Sequence, residues 1–135
     1  MIETYRGVVY PNQLDQMEHM NVQWYASKFD EGTWHLFSSI GLTSSYFKEN
    51  NKGMAAVEQK IKYKAEALAG DLIVIKSKII EIKDKSINFI HRMYNSETGV
   101  ELAISELTGV HIDRQLRKSC FFPSFIKTNH ELTKN

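Results

Sequence analysis

A single cysteine, Cys120, in 135 residues leaves no internal disulfide framework to read, and the expected location is the cytoplasm. Neither sign of charge prevails. Seventeen basic side chains against sixteen acidic ones leave a formal +1, without the clustered positive charge that a nucleic-acid partner requires. No run approaches the ~20 apolar residues of a membrane span, and Met1 to Arg6 lack the apolar core of a signal peptide, so no membrane partner is expected. No HExxH, CxxC or glycine-rich phosphate loop occurs, so no metal and no separate cofactor are expected. Repeats and low-complexity segments are also missing. What remains is an ordinary globular composition, 42% apolar and 24% charged, long enough for one domain with a real core.

The patterning predicts an α+β chain. Residues 2–10 lean towards β and end at Pro11-Asn12. From Asn21 to Ile40, Val22, Tyr25, Phe29, Leu36 and Ile40 recur at helical steps, with Asn21 as N-cap and Gly41 just past the end. Gly32 inside this helix costs roughly 1 kcal/mol against alanine, a cost that close packing on a sheet would justify. After a polar connector over 43–52, strands are predicted at 54–63, 72–82, 86–95 and 100–112. They are separated by Ala69-Gly70-Asp71, Lys83-Asp84-Lys85 and Ser96-Glu97-Thr98-Gly99. The expectation is a meander of four strands after one strand and one helix. A domain over 1–126 would precede a polar, frayed tail over 127–135. One helix covers only one face of a five-stranded sheet, so a homo-oligomer, dimer or tetramer, is expected.

The densest chemistry lies just ahead of the helix. Asp15, His19 and Asn21 stand at i, i+4 and i+6, and supply a carboxylate, an imidazole and a carboxamide beside free helix-start amides. Such a set suits polarising or cleaving a carbonyl. An ordinary loop clasp and cap is the alternative reading of the same residues. His91 and His111 fall inside strands without partners at metal-ligand spacing, Cys120 has no visible base partner, and Trp24, Trp34, Phe37, Tyr46 and Phe47 suit either a core or an acyl tunnel.

The run Asp15-x-x-x-His19-Met20-Asn21-x-x-x-Tyr25 resembles the loop-to-helix segment of the hot-dog-fold acyl-CoA thioesterases, the 4-hydroxybenzoyl-CoA thioesterase-like group. Pro11, Phe29-Asp30, Ile40-Gly41-Leu42, Ala69-Gly70-Asp71, Glu106 and His111-Ile112-Asp113 extend the likeness, which is nearest to the betainyl-CoA thioesterase type. The resemblance implies a hot-dog fold, a five-stranded antiparallel sheet curved around one long central helix. It also implies hydrolysis of an acyl-CoA to free acid and CoA, with CoA entering as part of the substrate. Asp15, His19 and Asn21 would be catalytic, with Asp15 acting as general base or nucleophile. Val22, Gln23 and Tyr25 would meet the substrate, and amides around Asn21 to Gln23 would hold the oxyanion. Glu18 stands where such proteins commonly carry glycine. A non-catalytic acyl-CoA-binding hot-dog module, or a hot-dog hydratase or dehydratase, are the competing readings.

Overall fold

The computed structural model describes residues 1–134. Its elements run β1 (Ile2–Val8), a 3-10 turn (Pro11–Gln13), α1 (Val22–Ser38), α2 (Ser44–Asn50), β2 (Lys52–Tyr63), β3 (Leu72–Ile82), β4 (Ser86–Asn95), β5 (Glu101–Asp113), β6 (Lys118–Ser119) and α3 (Phe125–Thr133). The strands form one antiparallel sheet in the order β1-β3-β4-β5-β2, with α1 laid across one face.

This order corrects the expected meander. Only β3, β4 and β5 follow one another in space; β2 pairs with β5, and β3 pairs with β1 instead of β2. The cause lies in the connector over 64–71, too long for a hairpin turn. Lys64 N–H donates to Leu102 O, Met20 N–H donates to Ala67 O, and Ala67 is fully buried, so the segment crosses the sheet's end as a packed strap. The five expected strands are joined by a sixth. β5 runs past the start of β4, which pairs only as far as Val110, and the free edge at Ile112 and Asp113 is taken by Ser119 and Lys118. The stretch from Lys127, expected to fray, is helical through Thr133. Ile126 is fully buried, and Asn129 Nδ2 donates to Ile40 O at 2.9 Å.

Asn21 caps α1 through its side chain, Oδ1 accepting from Gln23 N–H at 3.0 Å, and Gly41 supplies a φ of +98° just beyond the helix. The buried stripe is Tyr25, Lys28, Phe29, Gly32, Thr33, Leu36 and Phe37. Val22, expected on that stripe, lies off it and is 58% exposed. Gly32 brings the helix onto β1: a Cβ there would sit 3.0 Å from Thr4 Oγ1.

The core has two apolar clusters, one under each half of α1. Tyr25, Phe29, Ile75 and Met93 belong to the first, and Leu36, Phe37, Ile87 and Phe89 to the second. Between them runs a buried polar layer. Thr4 Oγ1 meets Ser77 Oγ at 2.6 Å, Ser77 meets His91 Nδ1 at 2.5 Å, and His91 Nε2 meets Thr33 Oγ1 at 2.8 Å. Thr33 gives its own proton to Phe29 O, so His91 donates from Nε2 and accepts at Nδ1. Burial drives the His91 pKa down to about 4, which keeps the ring neutral.

Candidate active site

Residues 14–20 form a loop closed on itself. Leu14 bridges Met20, Asp15 N–H donates to His19 O at 3.0 Å, and Glu18 N–H donates to Asp15 O at 3.0 Å. The loop is anchored from below: Met20 is buried with its N–H on Ala67 O at 2.8 Å, and Asn21 N–H reaches Gln13 O at 2.9 Å. Turning this tightly forces Glu18 to φ +63°, the left-handed region in which glycine is at ease. The departure from glycine therefore leaves the loop path intact, at a conformational cost of about 1 kcal/mol.

Within this frame Asp15 holds one oxygen in place and leaves the other available. Its Oδ1 accepts from Met17 N–H at 2.8 Å, and its Oδ2 lies 3.8 Å from His19 Nδ1. That separation is one of charge proximity, longer than a hydrogen bond. Asp15 is 26% and His19 32% exposed by side chain, so a solute can reach both while neither waves freely in water.

The helix start sharpens the expected set of amides. Asn21 N–H is taken by Gln13 O, Gln23 N–H by the Asn21 side chain, and Trp24 N–H by Asn21 O at 2.9 Å. Among the described residues no acceptor meets the Val22 N–H, on an exposed residue at the positive end of the α1 dipole. Val22 thus offers the open donor, and Gln23 offers only its side chain. Tyr25 is 4% exposed and stacks edge-on with Tyr63 at 5.0 Å, so it supports the loop from inside the core instead of meeting a solute. Burial raises its phenol pKa.

Two features escape a reading of the sequence because they join residues distant along the chain. A cavity of ≈ 100 Å³ opens between α1 and β2, with Trp34, Phe37, Met54 and Gly109 in its walls. Of the expected tunnel aromatics, Trp34 and Phe37 line it, whereas Trp24 packs on the core and Tyr46 donates to or accepts from His111 Nε2 at 2.9 Å. Cys120 does lie beside an imidazole, its Sγ 3.3 Å from His111 Nδ1 across the β5–β6 turn, but that nitrogen donates to Cys120 O at 3.2 Å and is no base for the thiol. Burial lowers the His111 pKa. Arg92, a candidate for phosphate binding by charge, is already paired with Glu101 at 2.9 Å.

The profile of the Thioesterase-like superfamily matches residues 9–129. A betainyl-CoA thioesterase of Pseudomonas aeruginosa is 23% identical over 112 residues, covering 83% of this chain and 70% of that protein. Among solved structures, a Staphylococcus aureus protein in complex with CoA superposes with a TM-score of 0.88 at 19% identity, over 98% of this chain and 85% of the other. The 1,4-dihydroxy-2-naphthoyl-CoA thioesterase of Synechocystis gives a TM-score of 0.83 at 18% identity, over 97% and 96%. The shared architecture is the hot-dog fold, an antiparallel sheet curled about a helix.

Proposed function

The chain belongs to the thioesterase-like superfamily, and so to the thioester hydrolases; from that premise we propose that it cleaves an acyl-CoA to free acid and CoA, with Asp15 as the reacting carboxylate. The observation that carries this reading is the make-up of the loop and the helix it leads into: a carboxylate with one oxygen uncommitted on a loop closed on itself, and at the α1 start a Val22 amide without an acceptor among the described residues. A thioester carbonyl seated on Val22 N–H gains partial positive charge at carbon. Asp15 Oδ2 then deprotonates the attacking water or attacks the carbon itself. The charge that develops on the carbonyl oxygen is met by Val22 N–H and the helix dipole. The acyl carbon keeps the oxygen of water, the carbon–sulfur bond breaks, and the CoA thiolate leaves with a proton.

His19, with Nδ1 3.8 Å from Asp15 Oδ2, positions the water or the acyl carbonyl, and Asn21 caps the helix start through Gln23 N–H, beside the open Val22 amide. Gln23, exposed beside them, is in position to meet the pantetheine arm. That acyl-CoA esters are the substrates of two relatives, and that a third binds CoA, supports the choice of thiol. The protein acts as a homo-oligomer. β2 is hydrogen-bonded on one side only over twelve residues, with Val57 62% and Tyr63 50% exposed, and such a long open edge invites a second copy.

Thiol release across an acyl-CoA panel tests the reading. Turnover of at least one ester is expected. Tight binding without thiol release would instead make the protein a non-catalytic acyl-CoA-binding module, and water addition to an enoyl-CoA would make it a hydratase.

A further inference from the structure

Positive charge that is scattered along the sequence is gathered by the fold at one end of the sheet. Lys83 and Lys85 stand in the β3–β4 turn, and Arg114, Arg117 and Lys118 in the β5–β6 hairpin. The two turns lie side by side, since His111 N–H donates to Lys85 O at 2.8 Å and Phe122 N–H to Asp84 O at 2.9 Å. Lys52 and Lys127 border them, and each already has a carboxylate. Asp113 meets Lys52 Nζ at 2.9 Å, and Asp84 meets Lys127 Nζ at 3.4 Å. The other five cations have no ion pair among the described residues, in a chain whose formal charge is only +1.

The hairpin holds its tip in a fixed turn. Asp113 Oδ1 accepts from Gln115 N–H and from Leu116 N–H, each at 2.9 Å, and Arg117 N–H donates to Asp113 O at 2.8 Å. Arg117 takes φ +59°, a conformation in which glycine is at ease, and still carries a cation. The same end exposes two large apolar side chains, Leu116 at 66% and Phe121 at 67%. Lys85 Nζ lies over the Phe121 ring, 4.9 Å from its centroid. Five residue steps keep Leu116 and Phe121 within about 18 Å of each other.

We propose that this end of the molecule docks on an anionic phospholipid bilayer, with the five free cations on the headgroups and with Leu116 and Phe121 in the interface beneath them. A polyanion in solution would satisfy the cations and leave both apolar side chains in water, whereas a bilayer takes charge and hydrocarbon together. The loop that carries Asp15 is at the opposite end of the sheet. It is anchored on Ala67 O, in the strap that leads into β3, and the eleven residues of β3 span about 35 Å from there to the β3–β4 turn. Docking therefore leaves the candidate active site clear of the lipid.

Co-sedimentation of the full chain with vesicles tests this, comparing phosphatidylcholine alone with an equal mixture of phosphatidylcholine and phosphatidylserine. Binding to the mixture but not to the neutral vesicles is expected, and it falls as salt rises. Each cation near an anionic surface raises partition about fivefold, so Arg114→Gln combined with Arg117→Gln weakens binding about thirtyfold. Leu116→Ser leaves the charge intact and weakens binding about tenfold or more. All three positions are exposed, so these variants keep the wild-type melting temperature and the wild-type turnover of a water-soluble acyl-CoA. No sedimentation with the mixture, equal sedimentation with neutral vesicles, or wild-type binding by either variant would overturn the proposal. Loss of turnover in a folded arginine variant would overturn it too, by making the patch part of the substrate site.

Discussion

At the level of single residues, two positions carry unusual chemistry for opposite purposes. Asp15 is tied by one oxygen and open at the other, which suits a reactive group. His91 is sealed in between two hydroxyl partners, and its burial holds it neutral at a cost that depends on pH. Its folded pKa of about 4 lies below the ~6.5 of an exposed imidazole, so the unfolded chain binds a proton first as pH falls. The stability that His91 contributes is complete above pH ~6.5 and is lost as the pH drops towards 4. The loss amounts to about 3 kcal/mol. Urea unfolding at pH 7 and pH 4.5 measures it. His91→Gln is expected to be less stable at pH 7 but to show a shallower decline with acid; an unchanged decline would mean that carboxylates, and not this imidazole, set the slope.

Among the elements, α1 explains how much of the molecule is legible in the sequence. Its cap, its terminating glycine and most of its buried stripe follow from local chemistry, and so do the bounds of β3 and β4. The loop over 14–20 is equally local, which is why Asp15, His19 and Asn21 stand out from their spacing alone. Val22 misleads because an apolar residue at a helical step need not face the core; the first turn here faces the site. Tyr25 lies on the buried stripe that its helical step predicts, so a tyrosine near a candidate site also serves the core. Pairings between distant segments leave no local trace, so the β2–β5 ladder and the cavity beneath it are invisible in the chain's own pattern. Gly32 gives a test at this scale. Alanine would improve helix propensity by roughly 1 kcal/mol, yet its methyl would press on Thr4 Oγ1, which Ser77 holds fixed. Overpacking of this kind costs about 1–3 kcal/mol. Gly32→Ala should therefore lower the melting temperature or leave it unchanged; a clear rise would show that the helix has room to lift from β1.

For the whole molecule, the open edge of β2 bears on assembly. An unpaired strand of twelve residues is a template for pairing with a second copy. Light scattering at micromolar concentration is expected to give at least twice the 15.6 kDa of one chain. A protomer mass that persists at that concentration would remove the oligomer from the account. The proposed chemistry rests on the carboxylate at the helix entrance, Asp15. Single-turnover thiol release by Asp15→Asn against wild type, on the best ester of the panel, tests it most directly. The exchange keeps the size of the side chain and an oxygen for Met17 N–H, so folding and substrate binding should persist while the rate falls about 10²–10⁴-fold. A variant that folds, binds the ester and releases thiol at the wild-type rate would contradict the account.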